Sequence, residues 1–132
     1  MQYSITPFDY DDEAVRIGLK FQELHNKYVP LFVELSENAK QTGHPIIRPL
    51  WWIEPTDEKT WTIDNQFLIG NNLLVAPIVE QNQTARDIYL PKGQWFDELR
   101  IKNITGPKLL ENYKIELDEI PHFSIIQEQI LP

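Results

Sequence analysis

Cysteine is absent from the 132 residues of this chain, and only five residues are glycine. Without cysteine, disulfides, cysteine-ligated zinc sites and thiol catalysis are excluded. Basic residues are also scarce, because 12 Lys and Arg stand against 20 Asp and Glu, which gives a formal net charge of -8. An acidic chain repels phosphates instead of displacing their counterions, so nucleic acid is not an expected partner.

Long apolar runs and metal-binding patterns are missing as well. The longest runs, such as Leu73–Pro77, are far shorter than the roughly 20 residues that a membrane-spanning helix needs, so no membrane segment is predicted. The opening residues MQYSITPFDYDDE hold no basic stretch followed by an apolar run, so no signal peptide is predicted. His25, His44 and His122 lack the spacing of metal ligands, and neither a metal nor a cofactor is expected.

The composition nevertheless supplies the material for one folded domain. Hydrophobic residues make up 42% of the chain and aromatic residues 11%, and the length suits a domain of ordinary size. A complete (β/α)₈ barrel is excluded, because that fold needs about 250 residues.

The first third of the chain carries the pattern of a long amphipathic helix. Apolar side chains recur at steps of four and three, at Ile17, Phe21, Leu24, Tyr28, Leu31 and Leu35. The acidic run Asp11-Asp12-Glu13 suits the free N–H groups and the dipole of the helix start. Pro30 predicts a kink in a continuous helix, since the stripe keeps its phase across it. Gly43 and then Pro45 predict the helix end.

A nearly continuous apolar run follows the helix, from Pro45 to Ile53, and Arg48 is its single charge. Such a run predicts a strand covered on both faces, as in a parallel sheet. A buried and unpaired charge costs several kcal/mol, so Arg48 must be paired. We expect a structural pair with an acidic residue that lies outside this chain; a position near an active site, close to a carboxylate, is the alternative.

The remainder of the chain is predicted to be all β. Short apolar segments separated by turns predict strands at 67–69, 73–79, 85–90, 94–99 and 113–117. Pro91-Lys92-Gly93 predicts the turn of a hairpin over residues 85–99. One helix and one doubly covered strand cannot complete a parallel sheet, so residues 1–52 are interpreted as the end of a larger domain.

Five segments, in this order and spacing, resemble glycoside hydrolase family 31, the α-glucosidase and α-xylosidase group. They are GHPIIRPL at 43–50, DNQFLIG at 64–70, LLVAPI at 73–78, RDIYLP at 86–91 and GQWFD at 93–97. The acidic helix start and the helix end at Thr42-Gly43 fit the same order. Within the family, the chain looks closest to an animal branch.

The resemblance implies a mixed α/β fragment. Residues 1–52 would be the C-terminal end of an incomplete (β/α)₈ catalytic barrel, with its last helix and strand, and residues 53–132 the antiparallel β-sandwich domain that follows it. The implied activity of the whole enzyme is retaining hydrolysis of α-linked O-glycosyl bonds, with an oligosaccharide or glycoside as its partner. That mechanism needs two carboxyl groups about 5–5.5 Å apart.

The family's two catalytic aspartates lie on earlier barrel strands, and no Asp or Glu of this chain matches either motif. The resemblance therefore implies no catalytic residue here, only a segment that closes and braces the barrel. A non-catalytic carbohydrate-binding or interaction module is the alternative. The acidic residues Glu54, Asp57 and Glu58 are interpreted as loop charge and not as an acid/base pair.

Two tryptophans and two asparagines are the remaining candidate site residues. Trp51 and Trp52 follow the last predicted barrel strand, on the side where barrel loops build active sites, and their flat rings suit stacking on a sugar. Packing between barrel and sandwich accounts for them equally well. Asn82 and Asn103 begin N-x-Thr sequons, which would be glycosylated only in a secretory or lysosome-like lumen.

Overall fold

The computed structural model describes residues 5–126, so the last six residues of the predicted 53–132 segment lie outside the described residues, as do the first four of the chain. It comprises two compact units, Met1–His44 and Pro45–Pro132. The assignment of residues 1–52 to a catalytic barrel stays a prediction.

A single long helix, α1 (Asp12–Thr42), follows a short 3₁₀ turn at Pro7–Asp9 in the first unit. The Asp11 carboxylate caps its start by accepting a hydrogen bond from the Ala14 N–H at 2.8 Å. Gly43 ends it in the left-handed conformation, with φ 77°. The helix continues through Pro30, and the six residues of the predicted stripe are half-buried or, for Leu35, buried. The predicted extent of this helix is confirmed.

The second unit contains one six-stranded antiparallel sheet. Its strands are β1 (Ile47–Arg48), β2 (Phe67–Ile69), β3 (Leu73–Val75), β4 (Ala85–Asp97), β5 (Lys102–Lys114) and β6 (His122–Ile125). The strand order is β1-β2-β3-β6-β4-β5, so the last strand in the sequence lies inside the sheet, between β3 and β4. Two 3₁₀ helices, Leu50–Trp52 and Glu58–Thr62, lie between β1 and β2.

Side chains from five of the six strands meet in one apolar core. Its buried members are Leu50, Leu68, Leu74, Ala76, Ile88, Leu90, Trp95, Ile104 and Phe123. Leu68, Leu74 and Phe123 are register partners and form a row across three strands. Because β2 and β5 stand far apart in the strand order yet share this core, the sheet curves around it. The predicted class, a helix followed by an antiparallel β domain, is confirmed.

Two polar side chains, Arg86 and Gln66, join β4 to the loops beside it. The buried guanidinium of Arg86 donates to the Asn65 carbonyl at 2.8 Å, to the Asn65 side-chain oxygen at 2.7 Å and to the Pro77 carbonyl at 2.6 Å. The amide of Gln66 pairs with the backbone N–H of Tyr89 at 2.9 Å and with its carbonyl at 2.8 Å. Gln66 thus satisfies strand groups that would otherwise be buried without a partner.

The predicted hairpin turn at Pro91-Lys92-Gly93 is wrong. Strand β4 runs through these residues, which form a bulge where the register with β5 shifts between Leu90 and Gly93. A bulge interrupts the ladder, so a proline without an N–H is tolerated there. The actual turn follows Asp97, whose carboxylate accepts hydrogen bonds from the N–H groups of Leu99 and Arg100 at 3.0 and 2.9 Å.

The strand predicted within Pro45–Ile53 is shorter than expected, and cover of both its faces, which we expect only in a complete barrel, stays a prediction. The strand is limited to Ile47 and Arg48, which pair antiparallel with β2. Ile47 is 50% exposed, while Arg48 on the other face is buried. Pro45 and Pro49 flank the strand and cannot donate to a ladder, which limits its length.

Candidate functional site

Arg48 is buried and forms two hydrogen bonds within the second unit. Its Nε donates to the Pro45 carbonyl at 2.7 Å, and its Nη1 donates to the Asn71 side-chain oxygen at 2.8 Å. The guanidinium carbon lies 5.3 Å from the ring centroid of Trp52. Within the described residues these partners are neutral acceptors and an aromatic face, and the pair with an acidic residue outside this chain stays a prediction. These contacts support a structural role for Arg48.

Trp51 and Trp52 lie side by side in the 3₁₀ helix Leu50–Trp52. Their ring centroids are 6.0 Å apart, with 37° between the ring planes. Trp51 is 44% exposed, whereas Trp52 is half-buried beside the guanidinium of Arg48. Of the two rings, Trp51 is the one that a sugar could reach. Binding of substrate by this pair stays a prediction.

A cavity of about 720 Å³ opens between residues 54–63 and strands β4 and β5. Three lysines reach it from separate segments: Lys59, Lys92 and Lys108. Tyr89 also lines it, together with the two acidic residues Glu54 and Asp57. Among these residues, only Glu54 and Asp57 stand out in the sequence, as members of an acidic loop, whereas nothing in the spacing of the lysines or of Tyr89 marks a shared site.

The two carboxylates of this cavity already hold hydrogen bonds that shape the loop. One oxygen of Asp57 accepts from the Tyr89 hydroxyl at 2.6 Å, and the other accepts from the Lys59 N–H at 3.2 Å. Glu54 accepts from the Thr56 hydroxyl at 2.5 Å. Both groups stabilise the turn before the Glu58–Thr62 helix, which supports their interpretation as structural charges.

Tyr89 connects this loop to strand β4. Its ring is buried, with 7% exposed, and the Lys59 ammonium lies 5.7 Å from the ring centroid. Burial, followed by the hydrogen bond to Asp57, raises the pKa of Tyr89 to about 12. Both causes oppose formation of the phenolate, the first by desolvation and the second because the phenolate cannot donate.

We expect Tyr89 to make the stability of the second unit fall with pH above the ordinary tyrosine pKa of about 10. The unfolded chain loses this proton near pH 10 and the folded chain only near pH 12, so the contribution is complete below pH 10 and lost as the pH approaches 12. Phenolate absorbance compared between the native chain and Tyr89→Phe checks this. We expect the variant to lose the part of the phenolate absorbance that develops near pH 12. Loss of the part that develops near pH 10 would instead contradict the prediction.

A second polar cluster surrounds the fully buried Asp97. The Tyr113 hydroxyl donates to both carboxylate oxygens, at 2.9 and 3.0 Å, and two backbone N–H groups complete the set. Arg100 lies 4.8 Å from the Tyr113 ring centroid and pairs with Glu119 at 3.2 Å. Burial, followed by the Asp97 hydrogen bond, raises the pKa of Tyr113. These groups are satisfied by one another, so the cluster is part of the folded core.

Both sequon asparagines are exposed. Asn82 lies in the turn before β4 with a φ of 62°, and Asn103 lies on strand β5. Glycosylation at either residue stays a prediction.

Residues 5–126 have no group of three or more His, Asp or Glu side chains placed to hold a metal ion. Within the same residues, no helix is both long and apolar enough to span a bilayer.

Known proteins match this chain in both sequence and fold. Residues 43–126 match the model of the glycosyl hydrolase family 31 C-terminal domain. The myogenesis-regulating glycosidase of Mus musculus is 48% identical over 125 residues, which cover 94% of this chain and 18% of that protein. Alpha-glucosidase 2 of Bacillus thermoamyloliquefaciens is 37% identical over 91 residues, covering 69% of this chain and 12% of that protein.

Among solved structures, a GH31 α-xylosidase from a soil metagenome, complexed with xylose, matches with a TM-score of 0.89 and 26% identity. The match covers 96% of this chain and 19% of the α-xylosidase chain. The chain therefore spans less than a fifth of the length of each of these three proteins.

Proposed function

Because the chain belongs to glycosyl hydrolase family 31, we propose that it is the C-terminal part of a glycosidase that hydrolyses α-linked O-glycosyl bonds. The observation that carries this proposal is the match of residues 43–126 to the family's C-terminal domain. The matched proteins include an alpha-glucosidase and an α-xylosidase solved with xylose, so an oligosaccharide or glycoside is the proposed substrate of the longer protein.

The catalytic carboxyl groups are proposed to lie outside this chain. Retaining hydrolysis needs one carboxylate that is available to attack the sugar and one carboxylic acid that is available to protonate the leaving group. Asp97 accepts three hydrogen-bond donors inside the core, and Asp57 accepts two at the cavity. Carboxylates that already stabilise a fold are poor candidates for the covalent step, which supports a catalytic pair located elsewhere.

The proposed role of this chain is to close the barrel with residues 1–52 and to brace it with residues 53–132. Strand β1 supports this role, because it already pairs with β2 of the sheet while Ile47 on its other face is half exposed. An exposed β-branched side chain of this kind is suited to cover by further strands or helices.

A non-catalytic carbohydrate-binding module is the second candidate function, and exposed Trp51 next to Trp52 favours it. A sugar stacked on Trp51 would change tryptophan fluorescence. Titration with maltose and with isomaltose tests this candidate, and unchanged fluorescence at millimolar sugar would count against it.

We expect the purified 132-residue chain to hydrolyse none of nitrophenyl α-glucoside, α-galactoside or α-xyloside. Without an available pair of carboxyl groups, the covalent intermediate cannot form. The longer protein read from the same locus should hydrolyse at least one of the three substrates. Turnover by the short chain above a heat-treated control would show that the site is misplaced, and a longer frame without barrel aspartates would overturn the enzyme proposal.

A further inference from the structure

The cavity beside Tyr89 is lined by three lysines and two carboxylates, so its lining carries a small positive charge in a chain whose net charge is -8. Lys59 belongs to the 3₁₀ helix Glu58–Thr62, Lys92 to the bulge of β4, and Lys108 to β5, where it pairs with Leu90. All three lysines are exposed, and the ion pair found within residues 5–126, between Arg100 and Glu119, involves none of them. Three of the chain's 12 basic residues therefore line one cavity.

The acidic residues of the cavity do not neutralise these lysines through direct contact. Asp57 holds the Tyr89 hydroxyl and the Lys59 backbone N–H, while Glu54 holds the Thr56 hydroxyl. Each lysine ammonium has three donor hydrogens and no acceptor, so it can bind an anionic group brought by a ligand. Three lysine side chains that can donate hydrogen bonds to an anionic group therefore line the same cavity.

Apart from Thr56, the rest of the wall is formed by apolar side chains and the Tyr89 ring. Ile63, Pro107 and Leu109 line the cavity beside the Tyr89 ring. Such groups pack well against the C–H face of a sugar ring, while the sugar hydroxyls turn toward polar neighbours. The volume of about 720 Å³ falls within the range of small-molecule sites.

We propose that this cavity binds a sugar that carries one anionic group, a carboxylate or a sulfate, with Lys92 and Lys108 facing that group and the apolar wall packing on the ring. The choice of a sugar rests on the proposed function. The choice of an anionic group rests on the three lysines alone.

Titration of the ¹⁵N-labelled full chain tests the proposal. The probes are glucuronate, glucose 6-sulfate, glucose and inorganic sulfate, followed through the backbone amides of Lys59, Lys92 and Lys108. We expect saturable shifts with an acidic sugar, at least about 10-fold tighter than with glucose, and weaker binding when the salt is raised, because exposed charges are screened. Comparison of the two acidic sugars identifies which anionic group is preferred.

Two exposed lysines can be changed without disturbing the core. The double variant Lys92→Gln, Lys108→Gln should bind the acidic sugar about 10-fold more weakly, since each exposed charge pair contributes modestly. Lys102→Gln is the matched control, because Lys102 is an exposed lysine on β5 outside the cavity. Unchanged urea unfolding of each variant shows that the fold is intact.

Several outcomes would overturn the proposal. If glucose binds as tightly as the acidic sugars, the anionic group does not contribute to binding. If inorganic sulfate binds as tightly as the acidic sugars, the sugar ring does not contribute. If the control variant weakens binding of the acidic sugar equally, the effect comes from the overall charge of the chain and not from the cavity. If no probe gives saturable shifts, the cavity is not a binding site for these ligands. None of these measurements depends on hydrolysis. Absence of binding would therefore not contradict the glycosidase proposal, and inactivity of the longer protein would not contradict observed binding.

Discussion

The Gly106→Ala variant is expected to lose at least about 3 kcal/mol of the unfolding free energy of the second unit, at the upper end for overpacked positions. A Cβ on residue 106 would lie 1.9 Å from the carbonyl oxygen of Pro91 and 3.1 Å from that of Leu90. Both atoms belong to the backbone of β4, which cannot rotate away as a side chain would. Accommodating the methyl group therefore requires separation of β4 from β5.

The effect should extend into the core, because the Pro91 carbonyl has a second function. It accepts the hydrogen bond of the Trp95 indole at 2.8 Å, and Trp95 is a buried member of the core. The bulge that places Pro91 there also brings Gly93 opposite Gly106 in the register with β5. Displacement of this carbonyl would leave a buried indole N–H without its partner, which adds its own cost.

Urea unfolding followed by tryptophan fluorescence measures this loss. All four tryptophans lie between residues 51 and 95, so the signal reports on the second unit. Gly18→Ala is the control, because Gly18 lies in α1, in the other unit. A Cβ on residue 18 would contact the Pro7 side chain at 3.4 and 3.5 Å, which is close to ordinary van der Waals contact. We expect the control to leave the fluorescence midpoint unchanged. An unaltered midpoint for Gly106→Ala as well would contradict the close approach of the two strands.

Features set by neighbouring residues could be predicted from the sequence. The stripe from Ile17 to Leu35, the capping Asp11 and the terminating Gly43 all act within a few residues of one another, and the observed α1 follows them. The family and its animal branch could be predicted because short motifs preserve their order, and the 48% identity to the Mus musculus glycosidase confirms the branch.

Features set by distant residues could not be predicted. Pro91-Lys92-Gly93 has the composition of a turn, yet pairing with β5 over most of β4 holds it as a bulge. The insertion of β6 between β3 and β4 likewise depends on contacts that no local pattern records. Chain topology of this kind overrides local propensity.

The cavity is the clearest case of a site without a sequence signal. Lys59, Lys92 and Lys108 come from three segments that are far apart in the chain, and only the fold brings them to one cavity. Chemistry alone pointed to Trp51 and Trp52, since aromatic rings bind sugars well. In the structure the guanidinium of Arg48 lies over the Trp52 ring, which leaves less aromatic surface of the pair for stacking on a ligand.

Hydrogen exchange is expected to separate the two units of the isolated chain by at least about 100-fold in protection. The second unit has one continuous core with members from β2 to β6, and its central amides should exchange only through global unfolding. Of the described helix residues, only Leu35 is buried. Isolated helices depend on packing of their apolar face for most of their stability, so α1 should open far more often than the sheet.

The comparison is between residues 17–35 and the strand segments 73–75 and 88–96, measured at concentrations where the chain is monomeric. Leu19 and Val33 are 53% and 60% exposed, so association at higher concentration would slow exchange in the helix and must be controlled by dilution. Equally slow exchange in 17–35 and in the strands, in a monomer, would refute the fragment interpretation and indicate an independently stable α+β domain. Fast exchange in the helix alone supports the proposal that residues 1–52 belong to a larger barrel, because further strands and helices of such a barrel would then be needed to stabilise α1.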